Sequence, residues 1–313
     1  MSDFPLRINR LSDAPAKRPT FVAVGSFDGL HRGHQRLLDS MVTNAREAKA
    51  RTAVLTFFPH PKRVLQNLRG RYYLTTIEDR VALLGELGID LVITLPFTEE
   101  IRLTRAADFM AQLRQRLDLR QLWGGNFALG YRREGTIPFL RQLGPEMGFS
   151  VHQVAGMVEW HGRLVSSSRV RASLQAGDIG DVNGCLGRPY HLSGEVVMGD
   201  QRGRTIGVPT ANLSVWDELI LPANGVYAAY AWVDGRRHLA AANIGTRPTV
   251  DGQIITIEAH LLDFNGGLYG HKLKLEFIQR LRPEQKFDGL VALKAQIQAD
   301  IQQTRQLLYA LRE

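Results

Sequence analysis

At 313 residues, with 44% hydrophobic and 22% charged side chains, the chain has the balance of a soluble globular protein and length enough for two domains. No apolar run approaches the ~20 residues that cross a bilayer, and the single Cys185 excludes an intrachain disulfide or a cysteine-based metal cluster. The net charge of +8 is uneven: residues 1–185 carry 25 basic and 18 acidic side chains, and residues 186–313 carry 14 and 13. The arginines are dispersed and form no basic run, which favours anionic small molecules as partners over nucleic acid.

Met1 to Pro19 is polar, dotted with proline and without an apolar signal-peptide core, so residues 1–19 read as an irregular lead-in to a cytoplasmic protein. Residues 20–186 then alternate short apolar strands with amphipathic helices. Strands are predicted at Phe21–Gly25, Thr52–Phe57, Leu91–Pro96, Gln121–Trp123 and Ser150–Val154. Helices are predicted at Gln35–Ala50, Ile77–Leu87, Ala106–Leu117, Ile137–Met147 and Ser168–Leu186. This alternation implies a parallel sheet covered by helices on both faces, with ligands beyond the carboxyl ends of the strands.

The period changes near Gly187-Arg-Pro-Tyr190. In residues 187–313, strands at Ser193–Val197, Val226–Trp232, Leu239–Ile244, Ile254–Leu262 and Lys272–Phe277 are parted by glycine- and asparagine-rich turns. That pattern predicts an antiparallel, barrel-like second domain, closed by an amphipathic helix over Gly289–Arg312.

Two segments carry phosphate chemistry. In Gly25-Ser-Phe-Asp-Gly-Leu-His31-Arg-Gly-His34 a buried strand runs through glycines into a helix start. Unpaired N–H groups and the helix dipole favour phosphate there, and Gly25, Gly29 and Gly33 permit close approach. His31 and His34, three apart, share a helical face and can stabilise charge growing on an attacked phosphorus. The same histidines could instead be capping residues or half of a zinc pair, although His60, His152 and His161 stand isolated in the sequence. Further on, Ser166-Ser-Ser168-Arg169-Val-Arg171 opens a helix, where hydroxyls and arginine forks suit departing pyrophosphate; a plain N-cap is the alternative.

The second segment is Gly199-Asp-Gln-Arg-Gly203-Arg204, leading to Gly207-Val-Pro-Thr210-Ala-Asn212. Thr210 and Asn212, two apart on an extended stretch, point the same way and offer oxygen ligands to Mg²⁺ bridging ATP phosphates. A structural turn would use the same residue types. There is no Walker A lysine.

With these residues in view, His31-Arg-Gly-His34 and the later Ser-Ser-Ser-Arg-Val-Arg resemble the HxGH nucleotidyltransferase superfamily. Together with Thr56-Phe-Phe-Pro-His-Pro61, Leu74-Thr-Thr-Ile-Glu-Asp79 and Leu95-Pro-Phe-Thr-Glu-Glu100, they resemble the first module of the bacterial bifunctional riboflavin kinase/FAD synthetase family. Gly203 to Leu213, Asn243-Ile-Gly-Thr-Arg-Pro-Thr249, Ile257-Glu-Ala-His-Leu-Leu-Asp-Phe264 and Leu268-Tyr-Gly270 resemble its riboflavin kinase module. The resemblance spans roughly residues 20–305. It implies a Rossmann-like adenylyltransferase over 20–186 and a split-barrel kinase over 187–313. The kinase would convert riboflavin to FMN with Mg·ATP, and the adenylyltransferase would join AMP to FMN, giving FAD and pyrophosphate. It further implies that Gly25, Phe27, Asp28, Gly29, Gly33, Ser167 and Arg171 line the ATP of adenylyl transfer. His31, His34, Ser168 and Arg169 would stabilise the transition state, with Pro59, Pro61 and Asn126 near FMN. In the kinase, Gly199, Gly203, Arg204, Thr210 and Asn212 would hold Mg·ATP, with Glu258 as general base. For Glu258, a surface position on a strand is the alternative. The chain departs from the family pattern at Phe58, where an acidic residue is usual, at Ala128 and at Thr136; Gly124-Gly-Asn126 replaces the common Gly-Asp-Asp. These departures leave a second reading open, a riboflavin kinase whose first domain adenylylates FMN weakly or binds nucleotide as a regulator.

Overall fold

The computed structural model describes residues 5–125, 129–154, 157–199, 207–249 and 252–311. By its internal contacts the chain divides into two compact units, Met1–Val165 and Ser166–Glu313.

In the first unit, β1 (Leu6–Ile8), β2 (Thr20–Val24), β3 (Arg51–Phe58), β4 (Leu91–Pro96), β5 (Leu119–Trp123) and β6 (Ser150–His152) form one parallel sheet in the order β1-β4-β3-β2-β5-β6. β2 is buried along its whole length, and its alternate side chains serve two cores. Phe21 and Ala23 pack with Leu38 and Met41 of α1 (Arg32–Glu47) and Leu84 of α3 (Ile77–Glu86). Val22 and Val24 pack with Phe109 and Leu113 of α5 (Ala106–Leu117) and Leu140 of α6 (Ile137–Met147). Each fully buried Leu or Phe contributes about 1.5–3 kcal/mol. The chain moves outward on one side of β2, then returns to place β5 on the other. The resulting switch point lies at the carboxyl ends of β2 and β5, the edge from which Gly25 continues.

The expected irregular lead-in is partly regular. Leu6–Ile8 pairs in parallel with Leu91–Ile93 as the edge strand, and Leu11–Asp13 makes one 3₁₀ turn. Three residues show no readable period, so only the partner strand reveals β1. Two short helices, α2 (Pro61–Leu65) and α4 (Glu99–Leu103), and a hairpin of β7 (Glu159–Trp160) and β8 (Arg163–Leu164) complete the unit.

The second unit begins with the stretch expected as one helix over Ser168–Leu186. It is two: α7 (Ser167–Ala176) and α8 (Ile179–Leu186). Gly177 takes a left-handed φ of 77° and ends the first, and the Asp178 side chain accepts from the Asp181 N–H and caps the second. Then come β9 (Tyr190–Val197), β10 (Ala211–Ser214), β11 (Gly225–Val233), β12 (Arg236–Thr249), β13 (Gly252–Leu261) and β14 (Lys272–Arg282). They close an antiparallel barrel in the order β10-β13-β12-β11-β14-β9. Five of these strands match the five expected, with longer bounds; the sixth, β10, closes the ring between β9 and β13. Inside, Tyr227 stands edge-on to Phe277 at 5.3 Å. Outside, α9 (Leu290–Ala310) lays Leu308 against Ala228, Tyr230 and Leu239. The bidentate pair of Arg282 with the buried Asp300 ties α9 to β14.

Candidate active sites

The first site is built where β2 ends. Gly25 donates to the Leu55 carbonyl at 3.1 Å, and the chain then turns through Phe27 and Leu30, both buried and both left-handed, at φ 47° and 43°. Gly29 between them has φ 78°, and a Cβ there would come within 2.7 Å of Leu74 Cδ1. Such conformations persist only when their surroundings fix them. Here the fixing group is Asp28, wholly buried. Its carboxylate accepts from the Leu74 and Thr75 N–H groups and from Arg80, at 3.0–3.2 Å. Arg80, also buried, donates to the Ser26 carbonyl as well. Asp28, expected beside ATP, is therefore spent inside the fold and holds the loop in shape.

His31 is the N-cap of α1: its Nδ1 accepts from the His34 N–H at 3.4 Å, which leaves the neutral ring's proton on Nε2. The two imidazoles stack, with centroids 3.7 Å apart and planes 17° from parallel. Phe27 meets His34 edge-on at 5.1 Å. A Cβ on Gly33 would come within 3.2 Å of the His31 ring. Burial, then the neighbouring His31 and Arg80, push the His34 pKa well below the ordinary imidazole value. The lowered pKa favours the neutral ring of His34, stacked beside His31 at the amino end of a 16-residue helix, where donors to an anion are needed.

The serine motif opens α7 in the second unit. Ser166 caps the helix by accepting from the Arg169 N–H at 3.2 Å. Arg169 is buried and its fork grips Asp181, with Nε to Oδ2 at 3.0 Å. The hydrogen bond to Asp181 raises the Arg169 pKa further. Ser167 and Ser168 stand in the first turn of the same helix and Arg171 in the next.

Beyond β3 and β4 the first unit opens a cleft of about 770 Å³. Phe57, Phe97, Phe109 and Leu129 line it, with Phe57 edge-on to Phe97 at 5.8 Å and tilted against Phe109 at 6.2 Å. Pro61 starts α2 at its edge. Pro59 follows β3, where Phe58 packs on Tyr73 at 5.6 Å and the Tyr73 hydroxyl accepts from the His60 N–H. Asn126 and Ala128 lie outside the described residues. Gly125 accepts from Gln153, and Thr136 holds the N-cap position of α6 without a side-chain bond. The aromatic lining was not read from the sequence; its one signal is that Phe57 and Phe97 stand at the carboxyl ends of adjacent strands.

In the second unit, register assembles the site. Asn212 on β10 is directly opposite Glu258 on β13, and Glu258 is directly opposite Asn243 on β12. Thr210 precedes β10, and His260 Nδ1 bonds the Pro209 carbonyl at 2.8 Å. Thr210, Asn243 and Glu258 line a cavity of about 430 Å³, roofed by Leu290, Leu293 and Ile297 of α9. Arg247 approaches Glu258 at 3.4 Å. Gly199 abuts Asn212: a Cβ there would fall 2.2 Å from its Nδ2. Gly203 and Arg204 lie outside the described residues. Among the described residues no three His, Cys, Asp or Glu side chains gather as a metal cage. A hydroxyl, an amide oxygen and one carboxylate fit a hard cation that brings phosphate and water ligands of its own, as Mg·ATP does.

Residues 13–169 match the family model for FAD synthetase, and residues 186–308 the model for riboflavin kinase. A relative from Listeria monocytogenes is 36% identical over 287 residues, covering 91% of each chain. Relatives from Pseudomonas fluorescens (37%, 94% of each chain) and Bacillus subtilis (35%, 93% of each chain) carry the same description, bifunctional riboflavin kinase/FMN adenylyltransferase. Among solved structures, a Streptococcus pneumoniae protein described as a macrolide-efflux protein matches with a TM-score of 0.87 at 28% identity, over 96% of this chain and 99% of its own. No described helix of the present chain is long and apolar enough to cross a membrane. Identity above 30% over nine-tenths of the length, with both halves matched in order, settles the family: the chain is a member of the bifunctional riboflavin kinase/FMN adenylyltransferase family.

Proposed function

We propose that the barrel phosphorylates riboflavin to FMN and that the parallel-sheet domain transfers AMP from ATP to FMN, releasing pyrophosphate and giving FAD. We assign the kinase to residues 187–313 and the adenylyltransferase to residues 20–186. Riboflavin, FMN and ATP are then the partners; the reading calls for no nucleic acid, and two ATP-consuming steps suit the cytoplasm.

In the kinase, Glu258 takes the proton from the flavin's terminal ribityl hydroxyl as that oxygen attacks the γ-phosphorus of ATP. Thr210 and Asn212 would hold Mg²⁺, which neutralises charge on the phosphates when bound. Residues of α9 and β11 wall part of the cavity. In the adenylyltransferase, an FMN phosphate oxygen attacks the α-phosphorus, and the bond to the β-phosphate oxygen breaks. His31 through Nε2–H, His34 and the positive end of the α1 dipole stabilise the charge that grows there. Ser168 and Arg169 are assigned to the departing pyrophosphate. The aromatic cleft suits the isoalloxazine ring, with Pro59, Pro61 and Asn126 assigned beside it.

One observation carries this reading: the first unit holds a stacked histidine pair at a helix start, and the second sets Asn212 directly opposite Glu258 on neighbouring barrel strands. Flavins separated by chromatography after incubation with ATP and Mg²⁺ test it. FAD is expected from riboflavin and, in parallel, from FMN. FMN alone from the first reaction and nothing from the second would leave the kinase and remove the adenylyltransferase. The departures at Phe58, Ala128 and Thr136 would then mark the change of acceptor.

A further inference from the structure

The two flavin-sized hollows differ in charge, and so do the flavins. Riboflavin is neutral, while the phosphate of FMN carries about −1.5 to −2 near pH 7. Among the described residues the kinase cavity is lined by Glu258, Glu284 and Asp300 and by Arg282, which Asp300 holds at 2.7 Å, while Arg247 approaches Glu258 at 3.4 Å. Among the described residues no carboxylate lines the cleft of the first unit, and Lys62, Arg102, Arg132 and Arg133 do. Glu99 engages Arg102. Among the described residues, the side chains of Lys62, Arg132 and Arg133 make no ion pair; Arg132 lies over the Tyr131 ring at 5.2 Å.

Arg132 and Arg133 are also consecutive left-handed residues, at φ 51° and 63°. Glycine takes that conformation freely and arginine does not. Their flanks hold it. Gly130 packs so closely that a Cβ would fall 2.4 Å from the Ala106 nitrogen. Tyr131 donates its N–H to the Thr104 carbonyl at 2.8 Å. Glu134 accepts from the Ala106 N–H at 2.7 Å and pairs with Arg105. The turn is therefore fixed without the two arginine side chains, and its strain presents them at the cleft. Strain maintained where the side chains add no bond to the fold points to a ligand.

We propose that Arg132 and Arg133, with Lys62, are specificity-determining residues of adenylyl transfer: they draw the FMN dianion to the cleft and distinguish it from riboflavin. The proposal rests on the reading that the first unit adenylylates FMN. Exposed charges act on approach, over a Debye length of about 8 Å at physiological salt, and raise the capture rate more than they alter the chemistry. The carboxylates of the kinase cavity work in the opposite sense, admitting the neutral flavin and disfavouring its phosphorylated product.

The test uses the full chain, with both residues changed together to glycine (Arg132→Gly with Arg133→Gly) and, separately, to lysine. The glycine variant is expected to lower kcat/KM for FMN about ten-fold while kcat stays within about two-fold. It should also flatten the fall of kcat/KM seen in the unchanged protein between about 50 and about 300 mM salt. Riboflavin phosphorylation should not change. Because glycine relieves two left-handed positions, the Tm should hold or rise. The lysine variant should retain the salt dependence and most of the FMN preference. A lower Tm in the glycine variant, a fall in kcat with KM unchanged, or salt-insensitive FMN use by the unchanged protein would overturn the proposal. If the unchanged protein makes no FAD, the reading of the first unit fails separately. FMN binding followed by flavin fluorescence then decides on the arginines, which must weaken FMN and not riboflavin when replaced by glycine.

Discussion

The candidate site of the first unit is held by backbone conformation, that of the barrel by strand register. In the first unit, Phe27, Gly29 and Leu30 take left-handed φ within four residues, and the buried Asp28–Arg80 pair keeps them there. In the barrel, Asn212, Glu258 and Asn243 are brought together by ordinary β-pairing across three adjacent strands, and none of them is left-handed. A parallel sheet offers its ligands only strand ends, so the site must be made from loops, whose irregular shape needs internal support. A barrel face offers side chains at fixed spacing with no such need. The first site should therefore be sensitive to loop backbone, the second to the identity of a few side chains.

Four changes probe that contrast. Glu258→Ala removes the proposed base from an intact strand and should lower FMN formation by about 10²–10⁴ while added FMN is still adenylylated; both rates are read from the same chromatogram. His31→Ala should cost FAD formation about 10²–10³ and leave FMN formation alone. It removes a phosphate donor and the cap of α1 together, so its loss should exceed that of His31→Asn, which restores a cap. Gly29→Ala forces a Cβ into left-handed backbone 2.7 Å from Leu74. It should destabilise the first unit by about 1–3 kcal/mol and slow adenylylation, with the kinase rate as the internal control. An alanine there that proved neutral would contradict the loop's strained fit.

The smallest effect is in pH. His34 has its pKa lowered by burial, by His31 and by Arg80. Below the unfolded value of about 6.5, the unfolded chain binds a proton that the folded one does not, so stability is lost as pH falls toward the depressed folded pKa. Above about 6.5 both states are neutral and the group has no influence. Thermal unfolding between about pH 5 and 7.5 should show the first unit losing stability on the acid side, and His34→Gln should flatten that slope. FAD formation should meanwhile persist below about pH 6.5, because the ring remains neutral in the fold.

What could be read from the sequence follows the same contrast. The glycines and histidines of residues 25–34 and the Thr-Ala-Asn of residues 210–212 are local patterns, and the structure places them at a helix start and on a barrel strand. The helices from Ile77, Ala106 and Ile137 follow their apolar period, and Thr76 caps the first of them. Long-range pairings left no such trace. Asp28 meets Arg80 across 52 positions and Arg169 meets Asp181 across a helix break, pairings that no local pattern announces. The cleft lining joins Phe57, Phe97, Phe109 and Leu129 from separate elements. Arg132 and Arg133 carry no glycine to announce their left-handed turn, because the constraint lies in Gly130, Thr104 and Glu134 around them.

The division of labour between the units is tested most directly by giving riboflavin, and separately FMN, to His31→Ala and to Glu258→Ala, with ATP and Mg²⁺, and separating the flavins formed. The account expects His31→Ala to stop at FMN, and Glu258→Ala to leave riboflavin untouched while converting FMN to FAD. Either variant losing both reactions, in protein whose two units remain folded, would contradict it.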